Sequence, residues 1–345
     1  MKVVDLRSDT VTLPSRAMRE AMAIAEVGDD VLGEDPTMNR LQEMAAERMG
    51  KESALFVASG TMGNLVALLA HCDRGDGAVM GSRSHTYLNE GGGSSALGGI
   101  YLLPLDNEAD GTLDLAAIEQ ALPSKDIHHP SVRLVCLENT HNLCGGVPLT
   151  VAYTQAVAEL VHSHGLLLHL DGARIFNAAL ALGVPPAELA SSADSVMFCL
   201  SKGLSCPVGS MLCGTSEFIE RARRMRKMVG GGMRQAGVLA AAGIVALEEM
   251  VERMRQDHEN ARHLAKGIDE IPGLSVDATA VQTNLVFFDY ESERIGADRF
   301  VAASAEEAVL LLAPHRGRFR AVTHFGIERE DVHRALGVMR RALQG

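Results

Sequence analysis

The chain has 345 residues, 47% hydrophobic and 22% charged; this composition supplies a substantial core and excludes collagen-like, coiled-coil, disulfide-scaffold and disordered classes. Its 44 Asp and Glu outweigh 32 Lys and Arg for a formal net charge of −12, which disfavours a nucleic-acid or anionic-membrane partner, since a phosphate backbone is bound by surplus cations. Aromatic residues make up only 4% and Trp is absent, so the core is expected to be aliphatic and filled by the 16 Met.

In chain order, a helical pattern over Pro14–Val27, with Pro14 near the first helical position, reads as an N-terminal arm. Short apolar runs follow at Ser53–Ala58, Gly77–Gly81, Ile100–Pro104, Val132–Leu137, Leu166–Leu170, Ser195–Leu200 and Val208–Cys213. They alternate with helical patterns at Thr61–His71, Asp114–Ala121, Val151–His164 and Ser216–Val229. Such alternation predicts βαβ units and a mostly parallel seven-stranded sheet covered by helices, an α/β fold. One long helical stretch, about Gln235–Ile271, ends at Pro272-Gly273. Beyond it, strand-like runs at Asn284–Asp289, Val309–Leu312 and Phe319–Val322 mix with helices at Ala297–Ala308 and Glu328–Leu343, a small α+β domain. At ~100–200 residues per domain the length fits this division. The expected organisation is an arm over residues 1–32, a large domain over 33–245 and a small one over 246–345.

No apolar run approaches the ~20 residues that span a bilayer, and the N-terminus lacks the apolar core of a signal peptide. The six Cys form no CxxC pair and several sit inside apolar runs, so buried free thiols in a cytoplasmic protein are expected.

In an open α/β sheet, ligands bind beyond the carboxyl ends of the strands. The polar residues there are Ser59-Gly60-Thr61, Ser84-His85, Glu138-Asn139-Thr140-His141, Asp171-Gly172-Ala173-Arg174 and Ser201-Lys202. Gly60 permits a tight turn, and the free N–H groups of the helix it opens suit an anion; a plain cap at Ser59 or Thr61 is the alternative. Asp171 could pair with a protonated heterocycle nitrogen or simply cap a helix. Lys202 ends a run too apolar to expose, and a partly desolvated Lys is a nucleophile suited to Schiff-base chemistry, unless it snorkels past the sheet edge. Arg221–Lys227 is a basic stretch spread around a helix and reads as solvated; Arg234, after three glycines, is read as opening a helix and presenting a cation to an anion. The His162/His164 and His128/His129 pairs lack a third ligand at a catalytic spacing, so no metal is expected.

A Schiff-base Lys, an Asp for a ring nitrogen, a His for the ring face and a phosphate cup together match a pyridoxal-phosphate (PLP) enzyme. Long contiguous motifs carry the match further. They include Arg7–Thr12, Glu26–Val31, Gly33–Thr37, Ser59–Asn64, Glu138–Asn142, His169–Asn177, Ser201–Leu204, Gly230–Gly237 and Arg320–His324, which strongly resemble the L-threonine aldolases, PLP enzymes of fold-type I. The resemblance implies that Lys202 holds PLP as a Schiff base, that Asp171 keeps the ring nitrogen protonated, and that His85 stacks on the ring and is a candidate base. It implies phosphate contacts from Gly60 and Thr61, with Arg234 of an adjacent subunit, and a substrate carboxylate clamp of Ser8, Arg174 and Arg320. His128 would approach the substrate hydroxyl from a neighbouring chain, and Glu90 would be a further acid/base or water-orienting group. It also implies a homo-oligomer, a tetramer built as a pair of dimers, cleaving β-hydroxy amino acids such as threonine to glycine and an aldehyde. A PLP-dependent β-eliminating lyase on the same scaffold is the alternative. Leu32, where many family members carry Tyr, and the stretch Thr86–Asn89 lie near residues that the resemblance expects to line the substrate side chain.

Overall fold

The computed structural model describes residues 2–122, 126–315 and 317–344. The strands are, in chain order, β1 (Val4–Asp5), β2 (Ser53–Val57), β3 (Gly77–Gly81), β4 (Tyr101–Leu105), β5 (Val132–Glu138), β6 (Leu167–Asp171), β7 (Ser195–Cys199), β8 (Ser210–Gly214), β9 (Leu274–Ser275), β10 (Leu285–Tyr290), β11 (Val309–Leu310) and β12 (Arg318–Val322). The chain divides into two compact units: Pro14–Val251, and Met1–Leu13 together with Glu252–Gly345.

The larger unit is built on one seven-stranded sheet in the order β2-β8-β7-β6-β5-β3-β4. The ladders from β4 through β7 are parallel, and β8 runs antiparallel to both neighbours. Strands β3, β7 and β8 are buried along their whole length, as expected for a sheet covered on both faces. β4 carries Pro104 and lies at the edge, where a missing N–H costs no ladder bond. Met197 and Cys199 of β7 pack with Leu55, Val66 and Phe218 in one layer of core, so Met does fill part of it.

Several helices begin where the sequence signals them. Ser59 caps Gly60–His71 by accepting from Met62 N, and Thr215 caps Ser216–Met228 by accepting from Phe218 N. The first helix spans Arg16–Ile24; Ser15 is its cap, so Pro14 precedes the cap rather than sitting inside the first turn. The helix Pro36–Met49, absent from the sequence-based reading, has Asp35 as cap and Pro36 at its start. The long stretch after Gln235 is helical at Gly237–Val245, passes through a π-helical turn at Ala246–Met250 and continues over Val251–Asp269. Arg234 therefore does not open that helix. Nor is the basic stretch wholly solvated. Arg226 is 2% exposed, donates to Asp30 Oδ2 at 2.7 Å and to the Phe56 carbonyl at 2.8 Å, and is held by a buried ion pair.

The smaller unit has an antiparallel sheet β12-β10-β9, and a parallel pair of β1 with β11. Phe288 and Phe319 face each other across the β10–β12 ladder and stack at 5.1 Å. Val4 and Leu6 lie in the same core as Leu264, Phe300 and Met339. The first residues thus group with the C-terminal part, whereas the sequence suggests a single arm over 1–32; Val4 and Asp5 pair with Val309 and Leu310, while Arg16–Ile24 packs on Gly237–Val245. Among the described residues no helix is long and apolar enough to cross a membrane. All six Cys are buried and unpaired; burial raises the Cys72 thiol to about 12.

Candidate active site

Strands β3, β5, β6 and β7 point the same way, so their carboxyl ends share one edge of the sheet. Register places Glu138 opposite Asp171, and Asp171 opposite Met197. Asp171 is 2% exposed at the end of β6. Its Oδ1 accepts from Ala173 N at 3.1 Å, and Oδ2 accepts from Asn64 Nδ2 at 2.8 Å and Thr86 Oγ1 at 3.5 Å. Gly172 lets this turn lie against β7: a Cβ there would come 2.8 Å from the Met197 carbonyl.

The helix Gly60–His71 starts beside the same edge. A Cβ on Gly60 would meet Cys199 Sγ at 2.9 Å, so the backbone must approach β7 closely. The Ser59 hydroxyl is spent on Met62 N and its carbonyl on Gly63 N, which leaves the Gly60 and Thr61 amides at the helix start to face an anion. Ser59 is the cap, and the helix start still has two amides to offer an anion.

His85 begins a short helix after β3; its backbone N–H donates to Glu138 Oε2 at 2.6 Å. Its Nδ1 lies 3.0 Å from Glu90 Oε1. The bond to Glu90 raises the His85 pKa against the opposing effect of burial; Asp171 adds to the rise and the Lys202 ammonium opposes it. Burial in turn raises the Glu90 carboxyl, against its bonds to His85 and Asn64. Asn64 Nδ2 bridges Glu90 Oε1 and Asp171 Oδ2, each at 2.8 Å. Potential ligand atoms of His85, Glu90 and Asp171 lie within 4.8 Å of one another, the one such grouping found among the described residues. Lys202 follows β7 in a turn in which Ser205 N donates to its carbonyl at 2.8 Å.

The other sequence-predicted residues lie on further elements of the two units. Arg174 is buried at the start of the helix Ile175–Leu182 in the larger unit. Arg234 is 57% exposed and pairs with Asp29 at 2.9 Å. His128 is 82% exposed, and its Nδ1 lies 2.6 Å from Asp126 Oδ1 rather than in the buried cluster. Ser8 and Arg320 belong to the smaller unit: Ser8 caps the turn Asp9–Val11, and Arg320 Nη2 donates to the Arg7 carbonyl at 3.3 Å. Leu32 and Leu88 are exposed. Asn64 is legible in the sequence only as part of a helix-opening motif; its place between two acids requires the fold.

A buried carboxylate aimed at the carboxyl edge, a helix start with two amides to offer, and a lysine following the neighbouring strand suit PLP, whose ring nitrogen, phosphate and aldehyde carbon need those three partners. Fold and site thus define a PLP enzyme of fold-type I. A family model described as beta-eliminating lyase matches residues 5–291. The chain is 50% identical over 347 residues to low-specificity L-threonine aldolase 1 of Arabidopsis thaliana, covering 99% of this chain and 97% of that one. It is 46% identical over 334 residues to the low specificity L-threonine aldolase of Escherichia coli (strain K12), with 96% of each chain covered. A solved threonine aldolase of Leishmania major superimposes with a TM-score of 0.81 at 20% identity, covering 99% of both chains. The chain belongs to the L-threonine aldolase family, within the β-eliminating lyases.

Proposed function

We propose that the protein cleaves L-threonine, L-allo-threonine and related L-β-hydroxy-α-amino acids to glycine and an aldehyde, with PLP held as a Schiff base on Lys202. The observation that carries this reading is the Asp171–Asn64–Glu90–His85 cluster, its two acids and Asn64 buried, at the sheet edge after which Lys202 follows. When bound, the cofactor supplies an electron sink for the pair released as the Cα–Cβ bond breaks.

The chain's own residues do the rest. Asp171 keeps a proton on the ring nitrogen. Gly60 and Thr61 bind the phosphate, joined by Arg234 from an adjacent copy. Ser8, Arg174 and Arg320 take the substrate carboxylate, for which a planar guanidinium is well shaped. The proton on the β-hydroxyl goes to His85 or His128, directly or through a water; a group of near-neutral pKa suits that transfer. His85 Nδ1 is bonded to Glu90, so Nε2 is the nitrogen that would face the hydroxyl, and Glu90 fixes the ring's orientation. Leu32 and Thr86–Asn89 would tune preference at Cβ. A homotetramer arranged as a pair of dimers, in the cytoplasm, completes the proposal; it lets His128 and Arg234 serve a neighbour's site.

The test is incubation of the PLP-loaded protein with L-threonine and, separately, L-allo-threonine, with products identified. Acetaldehyde and glycine are expected, and the ratio of the two rates gives the Cβ preference. Ammonia with 2-oxobutyrate overturns the aldolase reading in favour of β-elimination.

A further inference from the structure

Behind Asp171, a chain of buried polar side chains continues from Asn64 to three residues to which the proposed reaction gives no role. Asn64 Oδ1 is 3.1 Å from His169 Nε2, His169 Nδ1 is 2.8 Å from Ser195 Oγ, and Ser195 Oγ is 2.7 Å from His71 Nε2. Asn64, His169, Ser195 and His71 are all buried. They come from the helix Gly60–His71, from β6 and from β7, so the chain stitches one covering helix to two central strands.

The donors and acceptors along it fall into one consistent order. Asn64 donates through its NH2 to Glu90 Oε1 and Asp171 Oδ2, which turns its carbonyl oxygen toward His169. His169 then carries its hydrogen on Nε2. Burial holds it neutral, with a pKa lowered to about 4, so Nδ1 accepts the Ser195 hydroxyl. Having donated, Ser195 accepts from His71 Nε2, and His71 is neutral as well, lowered to about 3 chiefly by burial. The bonds run one way: His71 to Ser195, to His169, to Asn64, and on to the two acids. Aligned hydrogen bonds polarise one another, and their positive ends converge on the carboxylates.

We propose that Asn64 is a positioning residue for the Asp171 carboxylate, oriented by the His169–Ser195–His71 chain, which holds Asp171 aimed while linking it through Glu90 to His85. The inference rests on the reading that Asp171 faces the PLP ring nitrogen.

The experiment compares Asn64→Ala, Ser195→Ala and Ser195→Thr with Asp171→Asn. Each is measured for PLP affinity by titrating the cofactor-free protein, for the wavelength of the bound-cofactor absorption band, for melting temperature, and for kcat and KM on L-threonine. Asn64→Ala is expected to weaken PLP binding about 10–100-fold, the range for a buried bond to a charged group, and to shift the band toward that of Asp171→Asn. Ser195→Ala should give a smaller change in the same direction, and Ser195→Thr, which keeps the hydroxyl, should restore the wild-type band. The loss should fall on kcat more than on KM. If Asp171→Asn changes affinity and band but Asn64→Ala and Ser195→Ala do not, the positioning role is overturned and the cofactor reading stands. The orienting part of the His169–Ser195–His71 chain is overturned if Ser195→Ala only lowers the melting temperature. If Asp171→Asn itself leaves PLP affinity and band unchanged, the underlying reading fails and takes the proposal with it.

Discussion

At the scale of single residues, the proposed site assigns unequal weights that kinetics can separate. Lys202→Ala should abolish turnover and the protein's visible cofactor band together, because in the proposed reading one amine would both hold PLP and give way to the substrate. His85→Asn should leave the band in place and lower kcat by about 10²–10⁴, the usual share of a single acid–base group. The His85–Glu90 pair also makes a pH prediction for the cofactor-free protein. The His85 pKa is raised in the folded state, chiefly by its bond to Glu90, so the stability it contributes is fully present below its unfolded value and is lost as pH rises through the folded one. Glu90→Gln should therefore be most harmful to the melting temperature near pH 6, and its effect should shift toward stabilisation by pH 8.5. An effect of constant size across that range would mean that the pair does not titrate in it. Lys202, Gly60 and His85 stand out in the sequence as candidates because each closely follows an apolar run, and Asp171 because it ends β6, where open sheets place their ligands. The partners of these residues do not. Asn64 and Asp171 are 107 positions apart and meet only because Gly60 lets its helix lie against β7.

At the scale of elements, the same contrast decides what sequence can deliver. Strands β3, β5, β6 and β7 appear in the sequence at nearly their observed bounds because a sheet covered on both faces needs uninterrupted apolar runs. The helix Pro36–Met49 is hidden in the sequence although Asp35 and Pro36 mark its start, since its polar residues dilute a stripe formed by Met38, Leu41, Ala45 and Met49. The helix Ser216–Met228 is legible as a helix but not in its burial. Its Arg226 turns inward to bond Asp30 and the Phe56 carbonyl, and no pattern of charges along one helix reveals a partner 196 residues away. That ion pair is a strong test of how the element is held. Removing Asp30 leaves Arg226 a buried, uncompensated charge, so Asp30→Ala should cost about 3–5 kcal/mol in urea denaturation. Arg226→Met added to Asp30→Ala should recover much of that loss, because an apolar side chain of similar length fills the space without a charge to desolvate. A double variant no more stable than Asp30→Ala would show that the bond to the Phe56 carbonyl, rather than the ion pair, fixes the helix.

At the scale of the whole molecule, the division of the chain separates sequence order from cooperative structure. Sequence order assigns residues 2–6 to an arm, yet their backbone is built into the smaller unit: Val4 N donates to the Ala308 carbonyl at 2.9 Å, Leu6 N to that of Leu310 at 3.0 Å, and Val322 N to that of Leu6 at 2.9 Å. Lys2 pairs with Asp331, and Val4 and Leu6 are fully buried in the core that holds Phe288, Phe300 and Phe319. A segment so short carries no periodicity of its own, which is why only its partners identify it. Deleting residues 2–7 removes two buried aliphatic side chains, each worth about 1.5–3 kcal/mol of burial, and leaves Val309 and Leu310 of β11 without a strand to pair with. Amide hydrogen exchange on the truncated protein should then quicken in β10 and β12 while β5, β6 and β7 keep their protection, because local opening follows cooperative units rather than position along the chain. Equal loss of protection in both sets of strands would mean that the two units unfold as one. Unchanged protection in β10 and β12 would mean that the first strand is a passenger on a core that Glu252–Gly345 completes without it.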